Sequence, residues 1–230
     1  MLHTVFRRLL ERYGPQHWWP GETPFEVMVG AVLTQNTAWT NVERAIQNLK
    51  ANDALAPAAI MAARHEDLAA WLRPSGYFNV KAARVRDFCA WYLQRGGLAA
   101  LAGEPTTALR NELLAVKGIG PETADDILLY AFERPVFVID AYTRRLFSRL
   151  GQVSGDEPYE ALRARFEREL RGTDAERVTL YNEYHALIVR HAKESCRRRP
   201  LCQACPLADR CSVADSWHQD NHAGHGAANL

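Results

Sequence analysis

The sequence predicts an all-α protein, and three observations carry the prediction. Apolar residues recur at three- and four-residue spacing along nearly the whole chain, the signature of helices with one buried face. Turn signals separate these segments: Pro-Gly at 20–21, Pro-Ser-Gly at 74–76, Gly-Gly at 96–97 and Ser-Gly-Asp at 154–156. The one strand-like run, 135–139, is short and leads straight into a helix.

In chain order the periodicity places helices at 5–13, 24–33, 40–51, 57–64, 65–72, 81–95, 106–116, 121–132, 140–149, 158–171 and 174–193. The first, within MLHTVFRRLLERYG, is amphipathic with arginines inside it, so it lacks the unbroken apolar core of a signal peptide. Helix 106–116 ends at Lys117-Gly118, where a glycine can take φ > 0 and close it. Helix 121–132 opens on Pro121, suited to a first helical turn. Asp140, a favoured N-cap residue, opens the helix that follows the β-branched run. The segment 212–230 is rich in Asp, His, Gly, Ala and Asn and reads as a disordered tail.

With 230 residues, 47% hydrophobic and 24% charged, the chain can build one large domain or two small ones. A net charge of +1 gives no global signal for nucleic acid. Arg190, Lys193, Arg197, Arg198 and Arg199 do cluster near the C-terminus, although such a cluster also reads as a solvated face. No apolar stretch approaches the ~20 residues of a membrane span, so no membrane partner and a cytoplasmic location are expected. Cys196, Cys202, Cys205 and Cys211 form C-x5-C-x2-C-x5-C. In a reducing compartment, four thiolates so close in sequence favour one metal centre over disulfides. Zinc also uses four cysteines, commonly as two CxxC knuckles, and here there is one CxxC. Cys89 lies on an apolar helix face and reads as a core thiol.

The stretch VKGIGPETADDI turns a corner between two helices. Free N–H groups at a glycine turn and a helix N-terminus make an anion site without a basic side chain. A phosphate fits Gly118 and Gly120, and so explains how a nearly neutral protein could hold DNA; the same pattern also fits an ordinary helix corner. Asp140 is kept ionised at its helix N-terminus. Beyond capping, it could stabilise a sugar oxocarbenium ion or activate water. Trp18, Trp19 and Pro20, with Trp39 twenty residues after Trp19, are aromatic anchors that serve a core as readily as a pocket.

The Gly-x-Gly hairpin, its proline and the downstream aspartate resemble the helix-hairpin-helix superfamily of DNA glycosylases, which includes endonuclease III. The resemblance runs from about residue 24 to 211. It implies two helical lobes with a DNA cleft between them: 21–134 with the hairpin, and 1–20 plus 135–211. LTQNTAWTNV (33–42) is similar to the turn carrying a polar wedge, so Gln35 or Asn36 would fill the hole left by a flipped base. GYFNVKAARV (76–85) is similar to the loop-helix set against DNA, with Tyr77 wedging the opposite strand. Lys117 would contact a phosphate, as would Arg197 and Arg198. The cysteine run resembles the family's [4Fe–4S] site, with a first spacing one residue shorter than C-x6-C.

Where endonuclease III carries its lysine nucleophile, this chain has Glu122. A glutamate cannot form a Schiff base. The chain's lysines are Lys50, Lys81, Lys117 and Lys193, none at the matching position. The resemblance therefore implies a monofunctional enzyme in which water attacks with help from Asp140, and weak or absent strand cleavage. The paired tryptophans resemble the pocket of bacterial 3-methyladenine glycosylases built on the endonuclease III fold. By that likeness Trp18, Trp19, Pro20 and Trp39 would sandwich the flipped base. A cationic N3- or N7-methylpurine suits indole faces, each contact being worth about 0.5–2 kcal/mol. The expectation is a monomeric, nucleoid-associated enzyme acting on double-stranded DNA with a damaged base. Two alternatives stay open: an endonuclease III-like enzyme for oxidised pyrimidines, and a DNA-binding relative without catalysis.

Overall fold

The computed structural model describes residues 1–18 and 21–214. Among them the structure is all-α, as the periodicity predicts, and contains no strand. The helices are α1 (Leu2–Tyr13), α2 (Pro24–Leu33), α3 (Trp39–Ala51), α4 (Pro57–Ala62), α5 (His65–Leu72), α6 (Phe78–Gln94), α7 (Gly97–Ala102), α8 (Thr106–Ala115), α9 (Pro121–Ala131), α10 (Ala141–Arg149), α11 (Tyr159–Glu169) and α12 (Asp174–Glu194). Single 3-10 turns lie at Arg73–Ser75 and Ala208–Arg210.

The chain divides into two compact units. One is continuous, Trp19–Pro135; the other joins Met1–Trp18 to Val136–Leu230. The continuous unit is organised around α2, whose PFEVMVGAVL is buried from Glu26 to Leu33. A helix apolar on all sides belongs inside a core, and α2 packs on α9, α6 and α3. Its start is fixed locally: the Thr23 hydroxyl accepts the Glu26 N–H at 3.2 Å, and Pro24 needs no partner in the first turn.

In the discontinuous unit α12 packs on α1 and α10. The buried stripe Leu2, Val5, Leu9 of α1 has helical spacing, and the buried Tyr184 hydroxyl of α12 donates to the Leu2 carbonyl at 2.8 Å. A reciprocal capping box between Thr173 and Glu176 starts α12.

Four features differ from the sequence reading. Gly96 and Gly97 both have positive φ (81° and 74°), but the chain re-enters a helix at once and forms α7. Helix α6 begins at Phe78 rather than at 81, because Tyr77 takes a left-handed backbone and serves as its N-cap. Val136, Phe137, Val138 and Ile139 are buried but form no ladder. Side chains of α11 take their donors instead: the Phe137 N–H donates to Glu167 at 3.0 Å and the Ile139 N–H to the Tyr159 hydroxyl at 3.3 Å. Residues 212–214, placed in the expected tail, have helical backbone and bury Ala214. The rest of that segment, from 215, lies outside the described residues.

Candidate functional site

The hairpin joins α8 to α9, and its two glycines are not equivalent. Gly118 has φ +87°, and a Cβ there would sit 2.6 Å from Arg84 Cγ. The fold itself therefore demands glycine at 118. Gly120 has φ −93°, and a Cβ there would meet nothing within 4 Å. Its backbone face is exposed, beside the first turn of α9, whose N–H groups have no partner inside the helix. That is the geometry of an anion seat. Lys117 and Glu122 flank it, both exposed. Behind the turn, Arg110 of α8 grips Asp125 of α9 through two bonds, Nε to Oδ1 at 2.6 Å and Nη2 to Oδ2 at 3.1 Å. This buried fork-on-fork pair fixes the angle between the hairpin helices.

Two turns of the same unit carry the residues expected to act as wedges. Gln35 is engaged: its Nε2 donates to Gly118 O and Thr123 Oγ1, both at 3.0 Å, and its Oε1 accepts from Arg84. Asn36 is exposed, with φ +56°. Of the two residues, then, Gln35 braces the hairpin and Asn36 is presented outward. Tyr77 is 73% exposed with φ +45°, an unusual state for a large aromatic side chain. Buried Lys81 ties the two turns together, donating to Leu33 O at 2.8 Å and Ser75 O at 2.6 Å. Burial, and then nearby Arg84, push its ammonium down to about 8. Trp39 belongs to this unit as well, its indole 3.1 Å from where a Gly30 Cβ would lie on α2.

The other unit holds the carboxylate. Asp140 is buried as the N-cap of α10, and its Oδ1 accepts the Thr143 N–H at 2.6 Å. Its Oδ2 lies 3.5 Å from Nε2 of buried His185 on α12. Burial pushes the Asp140 carboxyl up, but the nearby His185 imidazole and the Thr143 N–H outweigh it. The net direction is below the ordinary carboxylate range, so Asp140 is ionised at neutral pH. The Trp18 ring stands 6.1 Å from the His185 ring, tilted by 54°. Trp18 is thus grouped with Asp140 and Trp39 with α2, whereas Trp19 and Pro20 lie outside the described residues.

The cysteine loop follows α12. Cys196 and Cys202 are buried, Cys205 and Cys211 half-buried, and all four are free thiols. Cys205 feels the charge of each of the other three, and burial and that repulsion push its thiol up to about 11. Held together here as thiolates, the four would need a compensating cationic centre. Among the described residues, however, no three His, Cys, Asp or Glu side chains converge as a metal-holding group. The donor chemistry fits a thiolate-bound centre, while the side-chain geometry does not display one. Arg149 of α10 reaches Cys196 Sγ at 3.2 Å, Arg197 O at 2.6 Å and Arg198 O at 3.0 Å. Arg145 donates to Cys196 O at 2.9 Å. Arg197 is exposed but bonds back to Lys193 O at 2.7 Å, at the end of α12; Arg198 is exposed.

Residues 29–171, which include both the hairpin and Asp140, match the HhH-GPD superfamily of base excision DNA repair proteins. The chain belongs to that superfamily. HhH-GPD proteins are DNA glycosylases of base excision repair, and so is this one. It is 45% identical to a candidate DNA repair glycosylase of Methanocaldococcus jannaschii, over 89% of this chain and 93% of the relative. The structure of H. pylori 3-methyladenine DNA glycosylase bound to 1,N6-ethenoadenine is similar at 32% identity and a TM-score of 0.71, covering 84% of this chain and 97% of that one. A non-covalent endonuclease III–DNA complex shares the fold at a TM-score of 0.81 and 20% identity, over 95% and 97% of the two chains. No helix among the described residues of this HhH-GPD protein is long and apolar enough to cross a membrane.

Several residues of the candidate site escaped sequence reasoning. His185 sits in YHALIVRH, where nothing marks it apart from an ordinary core histidine. Arg145 and Arg149 carried a usable signal: a four-residue spacing puts both on one face of α10. Arg110 and Asp125 lie on different helices, so their pairing needs the hairpin to be folded first.

Proposed function

We propose that this glycosylase is monofunctional and releases alkylated purines of the 3-methyladenine type from double-stranded DNA. The observation that carries the reading is the exposed carboxylate of Glu122 in the first turn of α9. It occupies the place the family resemblance gives to a lysine, and it cannot form a Schiff base. Lys81, with its lowered pKa, is buried and spent on two carbonyls. The similar H. pylori enzyme is a 3-methyladenine DNA glycosylase, which supports the substrate class.

In this mechanism the C1′–N9 bond of a cationic methylpurine breaks, and its electron pair neutralises the departing base. The sugar becomes an oxocarbenium ion, stabilised by ionised Asp140. Water then bonds to C1′ and gives its proton to Asp140, which passes it to solvent. Trp18 in one unit and Trp39 in the other each carry an indole face of the kind that suits a cationic base. Asn36 and Tyr77 are the wedges, and the Gly118–Gly120 turn with Lys117, Arg197 and Arg198 holds phosphates. Cys196, Cys202, Cys205 and Cys211 would hold a [4Fe–4S] cluster, a structural and electron-carrying centre when bound. Their shared loop and mutual repulsion support it.

The test is release of free bases from methylated and from oxidised DNA, with borohydride added in parallel. Methylpurine release with no trapped enzyme–DNA adduct is expected. Asp140→Asn should abolish release while keeping lesion binding, since the amide still caps α10 but carries no charge. Glu122→Gln should retain activity, and Glu122→Lys is expected to gain trapping. Efficient trapping by the unaltered protein, or release of oxidised pyrimidines alone, overturns the reading.

A further inference from the structure

His185 is a fully internal histidine that no step above requires. It is 5% exposed and lies midway along α12. Its Nε2 faces Asp140 Oδ2 at 3.5 Å, while its ring lies beside Trp18. Asp140 Oδ1 is already committed to the Thr143 N–H. The second oxygen is therefore the one available for chemistry, and His185 is the group that orients it. We infer that His185 is the positioning residue of the catalytic carboxylate: it aims Asp140 Oδ2 inside a buried site and sets the Trp18 ring beside it. The inference rests on Asp140 serving base release.

Charged and polar side chains described on α10, α1 and α12 have partners of their own. On α10, Arg144 donates to Gly155 O and Glu157 O, and Arg145 to Cys196 O and Ala192 O. On α1, Tyr13 bonds His191, more than a turn along α12 from His185. On α12 itself, Glu183 accepts the Gln16 and His17 N–H groups. Among the described residues, the polar groups acting on Asp140 are His185 and Thr143. Removing His185 leaves burial as the leading influence and raises the Asp140 pKa. Because the ionised form works, the acid limb of the rate then moves to higher pH.

The experiment compares wild type, Asp140→Asn, His185→Gln and His185→Asn on one lesion that the wild type releases. Single-turnover release is measured across pH, with thermal melting and lesion binding as controls. The glutamine amide reaches toward the place of Nε2, whereas the shorter asparagine does not. His185→Asn should lower release about ten- to hundredfold, the scale of losing a polar contact to a charged group, and shift the acid limb upward. His185→Gln should recover much of both. Release that survives Asp140→Asn sinks the Asp140 reading itself. If Asp140→Asn is inactive but both His185 variants keep the wild-type acid limb, whatever their rate, His185 is only packing and the inference is wrong. Should His185→Asn fail to fold, the acid limb of His185→Gln decides: displaced but smaller than a full loss supports the inference, and unmoved overturns it.

Discussion

Replacing each hairpin glycine by alanine should have opposite consequences. At Gly118 the backbone is left-handed, φ +87°, and the new methyl would lie 2.6 Å from Arg84 Cγ and 2.8 Å from Cδ and Nε. The backbone term is about 1–2 kcal/mol for a non-glycine residue. Displacing Arg84 also breaks its bond to Gln35, which braces Gly118 O and Thr123, for about another 1 kcal/mol. Gly118→Ala should therefore lose roughly 2–3 kcal/mol in urea unfolding. At Gly120, φ −93° suits alanine and the space is open. Gly120→Ala should be neutral or gain about 0.4–1 kcal/mol by restricting the unfolded chain. Its cost falls on the ligand, because the methyl occupies the approach of a phosphate to the α9 N-terminus. Duplex binding should weaken about tenfold, one lost bond to a charged group. Equal destabilisation by the two variants would refute the division between a folding glycine and a binding glycine. Wild-type DNA affinity in Gly120→Ala would show that the open face is not the phosphate seat.

Asp125→Ala strands the buried Arg110 guanidinium and should cost about 3–5 kcal/mol in urea unfolding, while Arg110→Met with Asp125→Leu should recover most of it; a loss under 1 kcal/mol in the single variant would show the pair to be solvated. Trp39→Ala should reduce methylpurine release more than undamaged-duplex binding, measured by base release and fluorescence anisotropy, and equal losses would make Trp39 a packing residue. Anaerobically purified protein should be yellow-brown with an absorption band at roughly 400 nm and should contain iron; zinc without iron would reassign the four cysteines.

Much of the architecture was legible because the helices are amphipathic and sharply punctuated. The hairpin could be read from Gly118, Gly120 and Pro121, since each residue type answers a local backbone need. Asp140 could be read as a cap for the same reason. What stayed hidden depends on distant residues. Gln35 and Asn36 are adjacent and both polar, yet one is engaged by the hairpin more than eighty residues later and the other faces outward. The run ending at Ile139 has the residue types of a strand. It lacks a neighbouring strand among the described residues, and α11 supplies its acceptors, which no local pattern announces.

The discontinuous unit has a consequence for synthesis. Helix α1 emerges from the ribosome well before its packing partner α12, which begins at Asp174. Until then the stripe Leu2, Val5, Leu9 has no α12 to cover it. The continuous unit, complete by Pro135, can fold while α1 still waits. At ~5–20 residues per second the wait lasts roughly ten to thirty seconds. A nascent chain stalled between 135 and 174 should thus hold a folded segment and an uncovered apolar helix, and so be a target for chaperones that bind such stripes.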